Sequence, residues 1–402
     1  MDLWMKALTI LVKVILLYST ILGLFCLLPR RKYPRREAKT RFAILIAARN
    51  EGGVIGEAIR DLRRQRYPKE LFDIFVLPNN CTDDTAGAAR RAGAKILPCP
   101  GPVRNKGDAL RYGFRALMEE DFDAFCVFDA DNRVDSDFLA RMNDAVLAGA
   151  RAAKGKQVSL NPEDSWVAGG YDIYRESMDL TVSRARTNLG LSAKLMGTGF
   201  VVTKELMAEL GGWNTETITE DTEFAAQLAF RGIQVAWVPE ALSYDEEPVS
   251  LGQSLTQRLR WVGGVQAVGR LWIPRLFRAA WQEKRFRALD FAMFLLLPYA
   301  QILALLPAAW DAAKALTAGG WLDGALLSLG LYWLSTTALG AGLCILGRRD
   351  LRRAAKGILL YPLFTATWLP LQVLAFFRRS TAWKPIARRV EKNLALPEVK
   401  SA

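Results

Sequence analysis

Four apolar stretches bracket a long polar middle, and they limit what this chain can become more than any other feature. Leu3 to Leu28 is apolar apart from Lys6 and Lys13; Leu289 to Trp310, Trp321 to Leu346 and Gly357 to Phe377 close the chain. Each is about long enough to span a hydrocarbon core of ~30 Å. The chain is 51% hydrophobic yet 24% charged, which fits a water-soluble unit joined to membrane segments. A basic cluster (Arg30, Arg31, Lys32, Arg35 and Arg36) follows the first stretch, and no small-residue cleavage site does. A retained anchor is therefore expected, not a removed signal peptide. Lys13 is expected to snorkel or to face other helices.

The net charge is +13, and much of it sits beside the apolar stretches: the first cluster, then Arg348, Arg349, Arg352 and Arg353, then Arg378 and Arg379. That placement fits cytoplasmic loops against anionic lipid and predicts no nucleic-acid partner. It places the middle of the chain in the cytoplasm of a multi-pass protein of the cell membrane. Three crossings after that middle would leave the basic tail, Arg378 to Lys392, outside, against the positive-inside bias. Pro362 and Pro370 allow a re-entrant or broken last segment instead. The five cysteines, at 26, 81, 99, 126 and 344, form no CxxC pair, so neither a disulfide framework nor a zinc site is expected. The chain has no histidine. Any general base must then be a carboxylate, or failing that Lys, Tyr or Cys.

From Arg41 to about Tyr244 strands alternate with helices. Phe42 to Ala47 and Phe72 to Pro78 read as strands, and Ile55, Ile59 and Leu62 recur at helical spacing. Thr82 or Asp83 is placed to cap a helix over Ala86 to Arg91. Leu110, Phe114 and Leu117 mark another helix. Such alternation predicts a mostly parallel sheet with ligands at the strand carboxyl ends. Ala124 to Phe128 is a short apolar run that ends in Asp129 and Asp131. Side chains alternate along an extended chain, so the two carboxylates are expected to point the same way. Paired acids repel unless a cation lies between them, and hard oxygen ligands here suit Mg²⁺ or Mn²⁺ carrying a diphosphate.

Gly197 to Val202 is a glycine turn running into a strand, and its glycines, Gly197 and Gly199, allow close approach of a ligand. Thr215 to Asp221 is a polar run ending in two acids, with Asp221 opening a helix that includes Phe224 and Leu228. Helix capping explains one acid; Glu220 and Asp221 together exceed that need. Ser250 to Arg287 is amphipathic and basic, divided by Pro274, and reads as helices lying on the membrane surface. Within it, Arg260 and Trp261 by composition alone are interfacial anchors.

Together these motifs resemble one family, the membrane-integrated inverting glycosyltransferases of family 2, whose processive members include cellulose, hyaluronan and chitin synthases. The resemblance covers roughly Phe42 to Trp261. Ala47-Ala48-Arg49-Asn50-Glu51 looks like the nucleotide-binding opening, Asp129-x-Asp131 the diphosphate–metal motif, Thr219-Glu220-Asp221 the base motif, and Gln257-x-x-Arg260-Trp261 the clamp of processive synthases. Lys106-Gly107 resembles a loop near the nucleotide and donor sugar. Asn79 stands where the family usually has an Asp that accepts from the uracil ring; the Asn carbonyl oxygen still accepts, and Asn79→Asp is expected to keep or improve UDP affinity.

The resemblance implies an α/β fold of the GT-A type, a Rossmann-like cytoplasmic domain (41–249), preceded by an anchor and linker (1–40). Interfacial helices (250–287), transmembrane segments (288–379) and a basic tail (380–402) come after it. It further implies a UDP-sugar donor, a divalent Mg or Mn cation on Asp131 with Asp129 nearby, and Asp221 as base beside Glu220. Ala47, Arg49, Glu51, Asn79, Lys106, Asp129 and Gly199 would line the donor site. Gln257, Arg260 and Trp261 would bind diphosphate and acceptor sugar. A growing polysaccharide is the expected acceptor and product; a single sugar added to a lipid is the alternative.

Overall fold

The computed structural model describes residues 2–30, 32–318 and 321–377. Arg31 and the basic tail from Arg378 onward lie outside the described residues. The middle of the chain builds one eight-stranded sheet: β1 (Phe42–Ala48), β2 (Phe72–Pro78), β3 (Lys95–Ile96), β4 (Ala124–Asp129), β5 (Arg133–Val134), β6 (Ala152–Ser159), β7 (Phe200–Thr203) and β8 (Val235–Asp245). Their order is β3-β2-β1-β4-β7-β6-β8-β5. β1 lies parallel to both β2 and β4, whereas β7 runs antiparallel to β4 and β6. β1 is an apolar run because both of its faces are covered. Phe42, Ile44 and Ile46 enter one core; Ala43 and Leu45 enter the other.

Register decides where the functional loops meet. Ala48 pairs with Pro78, and Ala47 with Asp129. The three strands end flush, so the segments after them emerge side by side at one edge of the sheet.

Three local details differ from the sequence expectations. The helix Thr85–Ala92 is capped by Asp84, whose carboxylate accepts from Gly87 N at 3.1 Å. Asp83 is taken by Gly52 N at 2.9 Å, across from β1. Leu251–Gln282 is one helix that runs through Pro274, giving up the single bond that proline cannot donate to the carbonyl of Arg270. Asp221 is the second residue of the helix Glu220–Phe230, and Thr219 holds its N-cap position.

Four segments, Leu3–Leu27, Phe286–Thr317, Leu322–Leu346 and Leu351–Phe377, are long and apolar enough to cross a membrane. They are fastened to the sheet domain. The carbonyl of Leu28 accepts from Arg184 and Asn188. Arg287 donates to the carbonyls of Gly190 and Gly232. Arg349, at the turn after Leu346, pairs with Glu176 at 3.0 Å and Asp172 at 3.3 Å. Gly169 of the helix Trp166–Ser177 meets Gly357 so closely that a Cβ on Gly169 would lie 2.8 Å from the Gly357 Cα.

The last segment is two helices, Leu351–Ala366 and Trp368–Phe377. Arg258, Gln266 and Arg270 of Leu251–Gln282 donate to the carbonyls of Phe364, Gln372 and Phe376, each pair 106 residues apart. A constant offset means the two helical runs are parallel and in register. The end at Phe376 thus lies beside Arg270, two residues before Trp272, whose ring meets Phe230 of the sheet domain at 6.0 Å. At the other end Arg353 pairs with Glu163 at 3.4 Å. Both ends of this apolar segment therefore adjoin the sheet domain.

Candidate active site

The centre of the site is a lysine. Lys106 opens the helix Lys106–Leu117, which Asn105 caps. Its ammonium lies 2.5 Å from Asp129 Oδ1, 2.5 Å from the carbonyl of Gly197 and 3.8 Å from Glu220 Oε1. The N–H of the same Gly197 donates to Asp221 Oδ2 at 2.6 Å. One glycine therefore joins the strand-end acid to the helix acid. Its φ of +49° is a left-handed conformation that costs glycine little and other residues more.

Asp129 ends β4, but Asp131 does not continue the strand. Residues 130 and 131 form a turn, closed by Asn132 N to the carbonyl of Asp129 at 3.3 Å. Strand alternation therefore does not set the direction of Asp131. Asn132 Oδ1 and Thr198 Oγ1 both accept from the Asp129 N–H, at 2.9 and 3.0 Å. Both acids are half-buried at the sheet edge. Among the described residues no cluster of three or more His, Cys, Asp or Glu side chains forms a metal cage. Asp129 and Asp131 offer hard carboxylate oxygens of the kind Mg²⁺ or Mn²⁺ takes, and Asp129 Oδ1 is already engaged by Lys106.

The loops after β1 and β2 are knitted together. Asn50 and Asn80 both take positive φ, 57° and 48°, as asparagine tolerates. Asn50 Oδ1 accepts from Thr82 N at 2.7 Å, and Glu51 N donates to Thr85 Oγ1 at 2.9 Å. Ala47, Arg49 and Glu51 are half-buried beside Asn79 at this edge. Asn79 Nδ2 donates to the carbonyls of Ala48 and Leu77, at 3.1 and 3.2 Å. Two facing carbonyls demand a donor, which makes Oδ1 the outward acceptor. An aspartate here would set an oxygen against those carbonyls, which argues against a gain from Asn79→Asp.

The loop before Asp221 is held by stacked rings and hydrogen bonds on both sides. Trp213 stacks on Phe224 at 4.3 Å and on Phe114 at 5.2 Å. Glu223 Oε2 accepts from the N–H groups of Glu216 and Thr217 at 2.8 and 2.7 Å. Arg111 donates to the carbonyls of Trp213 and Thr215. Burial pushes the Glu220 carboxyl up to about 7, with Lys106 pulling it down and Asp221 pushing it further up. Burial pulls the Lys106 ammonium down, but Asp129 and Glu220 outweigh it and leave it raised.

The helix Leu251–Gln282 lies against this loop. A Cβ on Gly264 would stand 2.2 Å from Thr219 Cγ2. Gln257 Oε1 accepts from Tyr171 Oη at 2.8 Å, and the Trp261 ring meets Tyr171 edge-on at 6.0 Å. Arg260 is on the same helix, half-buried. The structure thus brings Lys106, Asp129, Glu220 and Asp221 together around Gly197. It sets Asn79, Arg49 and Glu51 along the strand ends and fastens Gln257 and Trp261 to Tyr171. Gly199, singled out in the sequence, sits one step back: its N–H joins β4 through the carbonyl of Val127. Asn132 and Gly264 carry no site signal in the sequence. Gly197 stands in the glycine turn, but the turn alone does not show which glycine meets the acids. Nothing local marks Gly264 or Asn132.

A family model described as "Glycosyltransferase like family 2" matches residues 39–264. The beta-monoglucosyldiacylglycerol synthase of Nostoc sp. is 30% identical, over 74% of this chain and 65% of that one. The poly-beta-1,6-N-acetyl-D-glucosamine synthase of Staphylococcus aureus is 25% identical, over 60% of this chain and 58% of that one. The chain thus spans about three fifths of the length of these curated relatives. The mannosyltransferase PcManGT from Pyrobaculum calidifontis, solved with GDP-Man and Mn²⁺, has a similar fold. Its TM-score is 0.61 at 20% identity, covering 91% of this chain and 99% of that one. A GT-A fold and a family match across the strand-end loops, both acid motifs and the start of the long helix lead to one conclusion: this chain is a glycosyltransferase of family 2.

Proposed function

We propose that the chain transfers a sugar from a UDP-sugar to a hydroxyl of a membrane lipid, one sugar per encounter, with inversion at the anomeric carbon. The junction at Gly197 carries this reading: it sets Lys106 and Asp129 on one side and Asp221 on the other. Asn79 Oδ1 would accept from the uracil ring, with Arg49 and Glu51 beside it. Lys106 and Arg260 would face the diphosphate with charge-assisted hydrogen bonds. A divalent cation on Asp131 and Asp129, when bound, supplies charge neutralisation for the diphosphate. Asp221 takes the proton from the acceptor hydroxyl, which attacks opposite the leaving UDP. No histidine exists to share that role.

Two observations support a lipid acceptor. The helix Leu251–Gln282, which carries Gln257, Arg260 and Trp261 and meets Thr219, is bound along its length to the last apolar segment. The relative with the longer matched stretch is named a glucosyldiacylglycerol synthase. A processive polymerase is the second reading. It rests on Trp261, which stays half-buried near the site and would stack on a terminal sugar.

The same contacts suggest a topology. Leu3–Leu27, Phe286–Thr317 and Leu322–Leu346 would cross, whereas Leu351–Phe377 would return to the side it left. The sheet domain and the end of that segment at Phe377 then share the cytoplasmic face, which satisfies the positive-inside bias.

The test of the base is Asp221→Asn. Transfer should fall at least about a thousandfold, with UDP-sugar affinity in a titration within about threefold of the wild type. Turnover near that of the wild type would remove Asp221 from the reaction.

A further inference from the structure

Lys194 occupies an unusual setting. It lies three residues before Gly197, and three residues span at most ~10 Å. Its ammonium is 3.7 Å from the thioether of Met178, 5.9 Å from the Tyr174 ring centroid and 5.5 Å from that of Phe294. Among the described residues it makes no ion pair. Met178 begins a π-helical stretch, Met178–Arg184, a distortion that recurs at functional sites. Phe294 belongs to the apolar segment Phe286–Thr317. The lysine thus points from the catalytic loop into the seam between the sheet domain and the membrane helices.

A second cation extends the same seam. Tyr174 packs on Trp368 at 5.1 Å, and the Arg258 guanidinium lies 5.0 Å from Trp368 on its way to Phe364. Arg258 is fully buried, and its Nε and Nη2 have no hydrogen-bond partner. Buried cations are ordinarily paired with acids. Here Arg258 is fully buried and Lys194 half-buried against one run of aromatic rings, and neither forms an ion pair among the described residues. Ring faces partly compensate them, but a phosphate would complete the set.

We propose that this seam binds the phosphate of the acceptor lipid, with Lys194 as its contact. The acceptor class is then a lipid whose hydroxyl-bearing head group is attached through a phosphodiester. Gly197 links the two places along the chain: it lies three residues after Lys194, and its N–H donates to Asp221 Oδ2 at 2.6 Å. The inference rests on the lipid-acceptor reading above and narrows it, since diacylglycerol carries no phosphate. The donor diphosphate is the other source of the same chemistry. The lipid is favoured because Phe294 and Trp368 belong to membrane segments, while the diphosphate side is formed by Asp129 and Lys106.

The test uses the full chain purified in detergent and exchanged with equal amounts of phosphatidylglycerol and dioleoylglycerol. Retained lipid is measured by mass spectrometry, and UDP affinity by calorimetry. The wild type and Lys194→Arg should retain phosphatidylglycerol about tenfold over dioleoylglycerol. Lys194→Gln should lose that preference and keep its UDP affinity. Equal retention by the wild type, an unchanged preference in Lys194→Gln, or a loss of UDP affinity in its place would overturn the proposal. Lipid retention is read without turnover, so a polymeric product in a separate transfer assay would refute the lipid-acceptor reading while leaving this measurement interpretable.

Discussion

The ammonium of Lys106 lies 2.5 Å from Asp129 and reaches Glu220 at 3.8 Å, so one cation serves an acid from each of two motifs. This pairing compensates the buried Glu220 and the half-buried Asp129 together. It also yields a prediction about pH. The folded Glu220 carboxyl is raised to about 7 from a reference of 4.5, chiefly by burial. Between those values the native state holds a proton that the unfolded state has released. Stability from this group is therefore greatest below the unfolded value and falls as pH rises through the folded one. In metal-free protein, thermal melts of Glu220→Gln should show a flatter decline than the wild type between about pH 5 and about pH 7. An identical decline in the variant and the wild type would place the proton elsewhere.

Gly264 is predicted to be a positioning residue. A Cβ there meets Thr219 Cγ2 at 2.2 Å, and Thr219 leads directly into Glu220 and Asp221. Gly264→Ala should overpack this contact by about 1–3 kcal/mol. Transfer should drop about tenfold or more while UDP affinity stays near that of the wild type. An unchanged rate for acceptor-dependent transfer would show that the loop absorbs the methyl group freely.

Much of the site is legible in the sequence because the strands at the switch point are local apolar runs with acids at their ends. β1, β2 and β4 are readable from Phe42, Phe72 and Ala124 onward, and Asp129 and Asp221 stand out from their flanking patterns. Contacts between distant segments are not legible. The register that pairs Ala47 with Asp129, the meeting of Gly197 with Lys106 and Asp221, and the seating of Gly264 on Thr219 all depend on tertiary packing. The last apolar segment shows the same limit. Its length and hydropathy alone suit a crossing, and only the donors Arg258, Gln266 and Arg270 reveal that it runs alongside the motif helix.

Asn79 makes a third prediction. Its Nδ2 serves the carbonyls of Ala48 and Leu77, so Asn79→Asp replaces two hydrogen bonds with repulsion. UDP affinity should fall about tenfold, as for the loss of one to two net hydrogen bonds. Calorimetric titration with UDP is the check; equal or tighter binding would mean that the side chain turns outward freely.

The lipid-acceptor account is tested most directly by the product. Purified protein in lipid nanodiscs should be given Mg²⁺ or Mn²⁺ and, in separate reactions, radiolabelled UDP-glucose, UDP-galactose and UDP-N-acetylglucosamine. One donor should label a lipid-extractable product that carries a single sugar, β-linked by proton NMR as inversion of an α-linked donor requires. A water-soluble polymer of that sugar, or an α linkage, would contradict the account.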